Sequence, residues 1–380
     1  MSSGHDPFAS PHRRLAVAVT ASAAIVAAAP LAGVARSRLQ AGLTTGFGTA
    51  VYAVIGVVVG AATVTGLWRA QRDLWWRVTV AAIAIAAASA YVLATGSADA
   101  SIRAVEAFHF VEYGLITLLF SRVWRQAGDV SAMAMPALSA FLAGIAEEGY
   151  QWFLPARVGE LRDVGLNGVA IACALLFSVG VAPPGRLARL STAGAARMCR
   201  LLAVVVLALA AFVHVVHLGA PVAVGVTSFA SRYSRAELTA LAADRAARWR
   251  TAPPLVRPDR FSREDQYTTE GLQHVQARNT AAAGGDAATA WHENRILESA
   301  FAPVLDTPSY VSKGGHRWAP EQRAEIEARA GAARDQPFTS RAFPYPIYDW
   351  APLTLWAVAG GLAASLVWGA GQLRRETVTA

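Results

Sequence analysis

The chain has 380 residues, 54% of them hydrophobic and only 16% charged, with a mean hydropathy of +0.35. Soluble domains carry about a quarter charged residues, so an ordinary water-soluble enzyme is excluded, as are a disordered chain and a collagen. The net charge of +8 is almost all arginine, Lys313 being the single lysine, and nothing in it marks a nucleic-acid partner; two cysteines, Cys173 and Cys199, make neither a disulfide scaffold nor a C-x-x-C metal motif.

About 20 apolar residues span the hydrocarbon layer as a helix, because lipid leaves no other way to satisfy the backbone. Seven such runs precede residue 221: Leu15–Val34, Phe47–Trp68, Val78–Thr95, Ala104–Val123, Ser131–Phe153, Val164–Val181 and Leu201–Ala220. An eighth covers Trp350–Gly371. The first is long enough to span and ends in no cleavage signal, so it reads as a retained helix. Arginine clusters at Arg13-Arg14, Arg69 to Arg77, Arg122 to Arg125, Arg186 to Arg200 and Arg374-Arg375 fall on alternate sides of these spans. Cytoplasmic loops hold the positive excess, so both termini are expected in the cytoplasm. The expected fold is an all-α polytopic membrane bundle of about eight transmembrane helices, with a helical extracytoplasmic domain between spans seven and eight. The expected divisions are 1–79 (helices one and two), 80–182 (a transmembrane core), 183–220 (helix seven), 221–349 (the extracytoplasmic domain) and 350–380 (the last helix and tail).

Within 221–349 the helix signals are local. Ser234 with Glu237 forms a capping box ahead of Leu238. Ser262 with Asp265 starts a helix running toward Ala283; Gly284-Gly285 stops it, and Asp286 caps the next, through Trp291 to Phe301. Pro320 opens a further helical stretch, Glu321–Arg334, while Ala252-Pro253-Pro254 and Phe343-Pro344-Tyr345-Pro346 read as extended connectors.

The informative feature is polarity inside the spans, where an ionisable group costs about 2.5–3.5 kcal/mol and is kept for a reason. On the fourth span Glu106, His109, Glu112 and Tyr113 fall on one helical stripe. The fifth ends with Glu147, Glu148 and Gln151, and then Arg157; Asp163 and Asn167 open the sixth. In the inferred topology Glu106, His109, Glu147, Glu148, Gln151, Asp163 and Asn167 lie near one outer interface, so adjacent helices would make one polar site. His109 with Glu147 or Glu148 has the residue types of a general acid and base. Glu106, Glu112, Tyr113, Gln151, Arg157, Asp163 and Asn167 have those of a ligand-binding shell, with Arg157 suited to an anion. No metal site or cofactor is called for; a weak alternative joins His109 and Glu148 to His214 and His217, three apart at the end of span seven.

The run Glu106-x-x-His109-x-x-x-Tyr113-x-x-Ile116, then Glu147-Glu148-x-x-Gln151-x-Phe153-x-Pro155-x-Arg157, then Asp163-x-x-x-Asn167-Gly168 resembles the VanZ-like membrane proteins over residues 80–182. Departures are Ile116 where leucine is usual, Glu106-Ala107 where Asp-Lys is common, and Glu147 where aspartate is common. The resemblance implies a multi-pass cell-envelope protein linked to glycopeptide (teicoplanin) resistance, with a membrane lipid or lipid-linked envelope precursor as partner. An intramembrane hydrolase or transferase using His109 with Glu147 or Glu148 is the alternative; a transporter ranks lower for want of repeat symmetry. The oligomeric state is left open.

Overall fold

The computed structural model describes residues 10–43, 46–68, 73–154, 159–184, 187–251, 263–307, 314–343 and 346–379. Sixteen elements follow in order: α1 (Pro11–Leu43), α2 (Phe47–Trp68), α3 (Leu74–Thr95), α4 (Ala100–Trp124), α5 (Ser131–Trp152), α6 (Leu161–Val181), α7 (Thr192–Val216), β1 (Ala220–Val224), β2 (Thr227–Ser231), α8 (Arg235–Arg248), α9 (Arg263–Ala283), α10 (Ala287–Ala300), α11 (Ala302–Asp306), α12 (Pro320–Ala330), β3 (Phe338–Thr339) and α13 (Pro352–Thr379). The chain divides into two compact units. The first is Met1–Gln151, Gly159–Phe212 and Trp356–Ala380; the second is Trp152–Val158 and Val213–Leu355.

Among the described residues seven helices are long and apolar enough to cross a membrane: Pro11–Leu31, Phe47–Trp68, Leu74–Thr95, Ala100–Ala127, Leu161–Val181, Thr192–Val216 and Pro352–Arg375. Their outward side chains include Val57, Leu93 and Leu353, each more than two-thirds exposed. Such surfaces are unfavourable in water and suited to lipid. The seven helices are those of a membrane-embedded helical protein. The fifth expected span forms as a helix, α5, but is not one of the seven. Its Glu147, Glu148 and Gln151 lower its mean hydropathy, yet all three are buried in the fold.

In the first unit a core of Tyr113, Ile116 and Phe120 from α4, Ala140 from α5, Ala170 and Ile171 from α6 and Ala18 from α1 holds four helices together. α3 meets α6 closely at Gly180, where a Cβ would stand 2.8 Å from the Arg77 carbonyl oxygen and 2.9 Å from the Ala81 nitrogen. Arg77 then donates from Nε to the Gly180 carbonyl (3.0 Å), occupying an acceptor that the end of α6 leaves open. Asp99 caps α4, accepting from the Ser101 and Ile102 amides at 2.7 and 3.1 Å. Asp129 is buried between α4 and α5 and serves two helices. Its Oδ1 accepts from the Ser131 amide (2.9 Å) and its Oδ2 from the Ser191 amide (3.0 Å), while Ser191 Oγ accepts from the Gly194 amide (2.9 Å). Although burial alone would raise its pKa, these bonds and those from the Ser131 and Ser191 hydroxyls hold the Asp129 carboxyl well below the usual range.

The second unit is helical with a small sheet. The Ser234–Glu237 capping box is present at α8, and Asp286 caps α10 through the Thr289 amide. α12 begins at Pro320, and α9 ends before Gly284-Gly285. Ser262, Pro253, Pro254, Pro344 and Tyr345 lie outside the described residues. The sheet departs from the all-helical expectation for this segment. β1 pairs antiparallel with β2 (Ala220 opposite Ser231, Val224 opposite Thr227), and β2 pairs parallel with β3. The apolar run ascribed to span seven leaves the helix after Val216 and becomes strand from Ala220, so helical periodicity could not separate the two. Phe229, Tyr267, Leu297, Phe301 and Leu305 form the centre of this unit's core.

Candidate functional site

α4, α5 and α6 meet at Gly144. A Cβ there would lie 3.2 Å from Tyr113 Cε1, 3.3 Å from its hydroxyl oxygen and 3.4 Å from Asn167 Cβ. A side chain larger than hydrogen would therefore push on Tyr113 from α4 and on Asn167 from α6. Tyr113 uses the close approach to donate its hydroxyl to Glu147 Oε2, one turn further along α5. Gln151, a turn beyond, donates from Nε2 to Glu147 Oε1 at 2.8 Å. Glu147 thus has both oxygens engaged although it is buried. Glu148 is completely buried beside it in sequence. His109 is buried, its Nδ1 3.6 Å from Glu112 Oε2 and its ring 6.3 Å from that of Tyr113, at a 20° interplanar angle.

Asn167 is completely buried, and neither atom of its carboxamide has a hydrogen-bond partner among the described residues. The same holds for the hydroxyl of Thr117, one turn past Tyr113 on α4. Buried amides are normally satisfied because an unmade bond costs about 1–3 kcal/mol, so the Asn167 carboxamide is an exception among the described buried groups.

The predicted stripe on α4 divides. Glu106 takes no part in the Tyr113 group. Its Oε2 accepts from the Ser97 amide (2.8 Å) and its Oε1 from Arg162 Nη2 (2.8 Å). Glu160 and Asp163 also face Arg162, each at 4.0 Å. Burial first, and the Asp163 carboxylate second, push the Glu160 carboxyl up to about 7 against the pull of Arg162. Of these charged side chains Glu106 and Arg162 line a small pocket, with Tyr91, Val92, Thr95, Gly96 and Leu166. Asp163 therefore belongs with Glu106 and Arg162, while Asn167, a turn later, belongs with Tyr113. Arg157, expected to meet an anion, lies outside the described residues.

His214 is on α7, and His217 follows the helix's last residue, its amide donating to the Val213 carbonyl (2.8 Å) and its Nδ1 standing 2.8 Å from the Pro346 carbonyl oxygen. Among the described residues no group of three His, Cys, Asp or Glu side chains is arranged to hold a metal ion. Burial holds the His217 imidazole below its ordinary pKa.

The second unit contains a polar core that sequence reasoning missed. Gln266, Glu270, His274 and Arg278, each four residues on from the last, are all buried on α9. Glu270 accepts from Ser231 Oγ (2.6 Å) and the Arg232 amide (3.1 Å). Burial nonetheless prevails over these bonds and pushes its carboxyl up to about 7. Glu293 of α10 joins His274 Nδ1 (2.7 Å) to Ser340 Oγ (2.6 Å), and His292 Nδ1 stands 2.7 Å from Thr227 Oγ1. Arg278 lies over the Trp318 ring and donates to Asn294 Oδ1 and the His316 carbonyl. In this order Glu293 separates serine from histidine, so the group fastens β2, α9, α10 and the chain after β3 rather than activating a hydroxyl. The unbroken spacing of four was the available signal, but polar residues at that interval usually mark a solvated helix face. No family model, no curated protein and no solved structure matches this chain.

Proposed function

We propose that the protein is a multi-pass envelope protein of the bacterial plasma membrane that binds a polar, lipid-linked molecule between α4, α5 and α6. In this reading α5 crosses the membrane as an eighth span, both termini are cytoplasmic, and the segment between α7 and α13 is extracytoplasmic. The observation that carries the reading is the completely buried Asn167, whose carboxamide has no hydrogen-bond partner among the described residues and whose Cβ, like the Tyr113 hydroxyl, borders Gly144. Such groups inside a span are functional by default, and a carboxamide offers one donor–acceptor face to a hydroxyl or amide of a ligand. Both oxygens of Glu147 are already fixed by neighbours, which favours a positioning role for Glu147 and leaves Glu148 as the carboxylate of the hydrolase alternative. The resemblance of Glu106, His109, Tyr113, Glu147, Glu148, Gln151, Asp163 and Asn167 to the VanZ-like motif supports an envelope role and a link to teicoplanin tolerance.

The test is binding of a lipid-linked disaccharide-peptide wall precursor to the purified chain in nanodiscs, with phospholipid alone as control. The precursor is expected to bind in excess of the control, and Asn167→Leu to weaken it about tenfold or more, as loss of one buried hydrogen-bonding group predicts. Producing cells are expected to tolerate more teicoplanin than cells producing Asn167→Leu. Binding no better than the control, or equal binding by a folded Asn167→Leu protein, would overturn the proposal.

A further inference from the structure

The end of the first unit where α4 stops carries positive charge that no acid offsets. From residue 113 to 146 the one acidic residue is Asp129, and from 164 to 236 there is none. Asp129 is buried, with its oxygens turned to Ser131 and Ser191. Three further bonds gather the basic residues here. Arg14 of α1 donates from Nη1 to the Arg122 carbonyl (3.4 Å), and Arg125 from Nη2 to the Pro183 carbonyl just past α6 (3.3 Å). The Ala188 amide donates to the Gly128 carbonyl (3.0 Å), which lays residues 187–190 beside the turn from α4 to α5. Arg122, Arg125 and Arg189 are exposed, and none is paired with a carboxylate among the described residues. Val130, Leu187 and Leu190 are exposed in the same stretches. The apolar helices of α4 and α6 end at Ala127 and Val181, and that of α7 begins at Thr192, so in a membrane these arginines and apolar side chains fall at headgroup level.

We propose that this end of the first unit is a docking surface for an anionic phospholipid. Charge and apolar exposure at one level select that occupant: the phosphodiester meets the guanidinium groups, and the acyl chains meet Val130, Leu187 and Leu190. Guanidinium groups hold phosphate oxygens through forked donors, and basic surfaces between transmembrane helices take lipid headgroups in this way. A soluble phosphate would use the arginines alone, and a zwitterionic phospholipid brings an ammonium group that they repel. Asp129 is the positioning residue, because its bond to the Ser191 amide helps to hold residues 187–190 against Gly128. In the topology proposed above the surface faces the cytoplasmic leaflet, where anionic lipids attract such clusters. No residue of the Tyr113 group takes part.

The experiment follows thermal unfolding of the purified full-length chain in detergent micelles containing phosphatidylglycerol, phosphatidylcholine or, in the surrounding buffer, soluble glycerol phosphate. Phosphatidylglycerol is expected to raise the melting temperature by a few degrees, saturably, and the other two to leave it unchanged. Arg122→Gln combined with Arg189→Gln leaves the Arg125–Pro183 bond in place. It is expected to raise the half-saturating lipid fraction about tenfold or more, since each arginine near an anionic surface counts about fivefold. Arg250→Gln combined with Arg341→Gln removes the same charge from two exposed arginines of the second unit and should change that fraction by less than about twofold. No saturable shift, a shift that phosphatidylcholine or glycerol phosphate matches, or equal weakening by the two double variants overturns the proposal. Should the first double variant not fold, Arg189→Gln alone decides: weakening of about fivefold supports the proposal and unchanged saturation overturns it. Precursor binding without a phosphatidylglycerol shift sinks this proposal and leaves the lipid-linked reading standing; the shift without precursor binding does the reverse.

Discussion

Tyr113 is the residue on which the membrane site turns. Its ring is completely buried and its hydroxyl reaches Glu147. Removing that oxygen in Tyr113→Phe leaves a buried carboxylate with one donor fewer, a loss of about 1–3 kcal/mol that thermal unfolding in detergent should register. Gly144→Ala is expected to cost about 1–3 kcal/mol by overpacking and to weaken precursor binding, because its Cβ meets Tyr113 and Asn167 together. Spacing on α4 made Glu106, His109, Glu112 and Tyr113 legible as one polar stripe. It did not reveal that Glu106 turns to Arg162 while Tyr113 turns to Glu147, since that choice depends on which neighbouring helix lies at each level. Gly144 was not legible at all: a glycine inside an apolar helix has no distinguishing sequence mark, and its role exists only where three helices converge.

At the scale of elements, helix ends were the most readable features. Ser234 with Glu237 and Asp286 with Thr289 act through bonds three residues apart, so local sequence is enough to specify them. Asp129 is different, because one of its two helix starts is more than sixty residues away at Ser191. Asp129→Ala is expected to cost about 2–4 kcal/mol, the sum of two caps, seen as a lower melting temperature in which α5 and α7 loosen together under hydrogen exchange. Glu270 couples β2 to α9 and gives a pH-dependent prediction. Its folded pKa of about 7 lies above the ordinary glutamate range, so its ionisation weakens the second unit progressively as pH rises from that range through 7. Glu270→Gln cannot ionise. Relative to wild type it should gain stability between acid and mildly alkaline pH, by on the order of 3 kcal/mol, measured by denaturant unfolding across that range. A wild type and variant that keep a constant difference would refute that assignment.

For the molecule as a whole, the proposed topology is directly measurable. Alkaline phosphatase fused after Arg235 should be active and the same enzyme fused after Arg125 inactive, since it folds only outside the cytoplasm; the reverse pattern would invert the assignment. The sequence by itself determined that the chain is a helical membrane protein, because some 20 apolar residues in a row have no other stable form in lipid and that requirement is local. It also located the acids of α4 and α5 and the amide of α6. Tertiary structure alone decided that α5 hides Glu147, Glu148 and Gln151 inside the unit, that a hairpin begins where an apolar run seemed to continue as helix, and that Gln266, Glu270, His274 and Arg278 face inward. Burial and pairing are properties of neighbours brought together from distant parts of the chain, and hydropathy along a sequence does not record them.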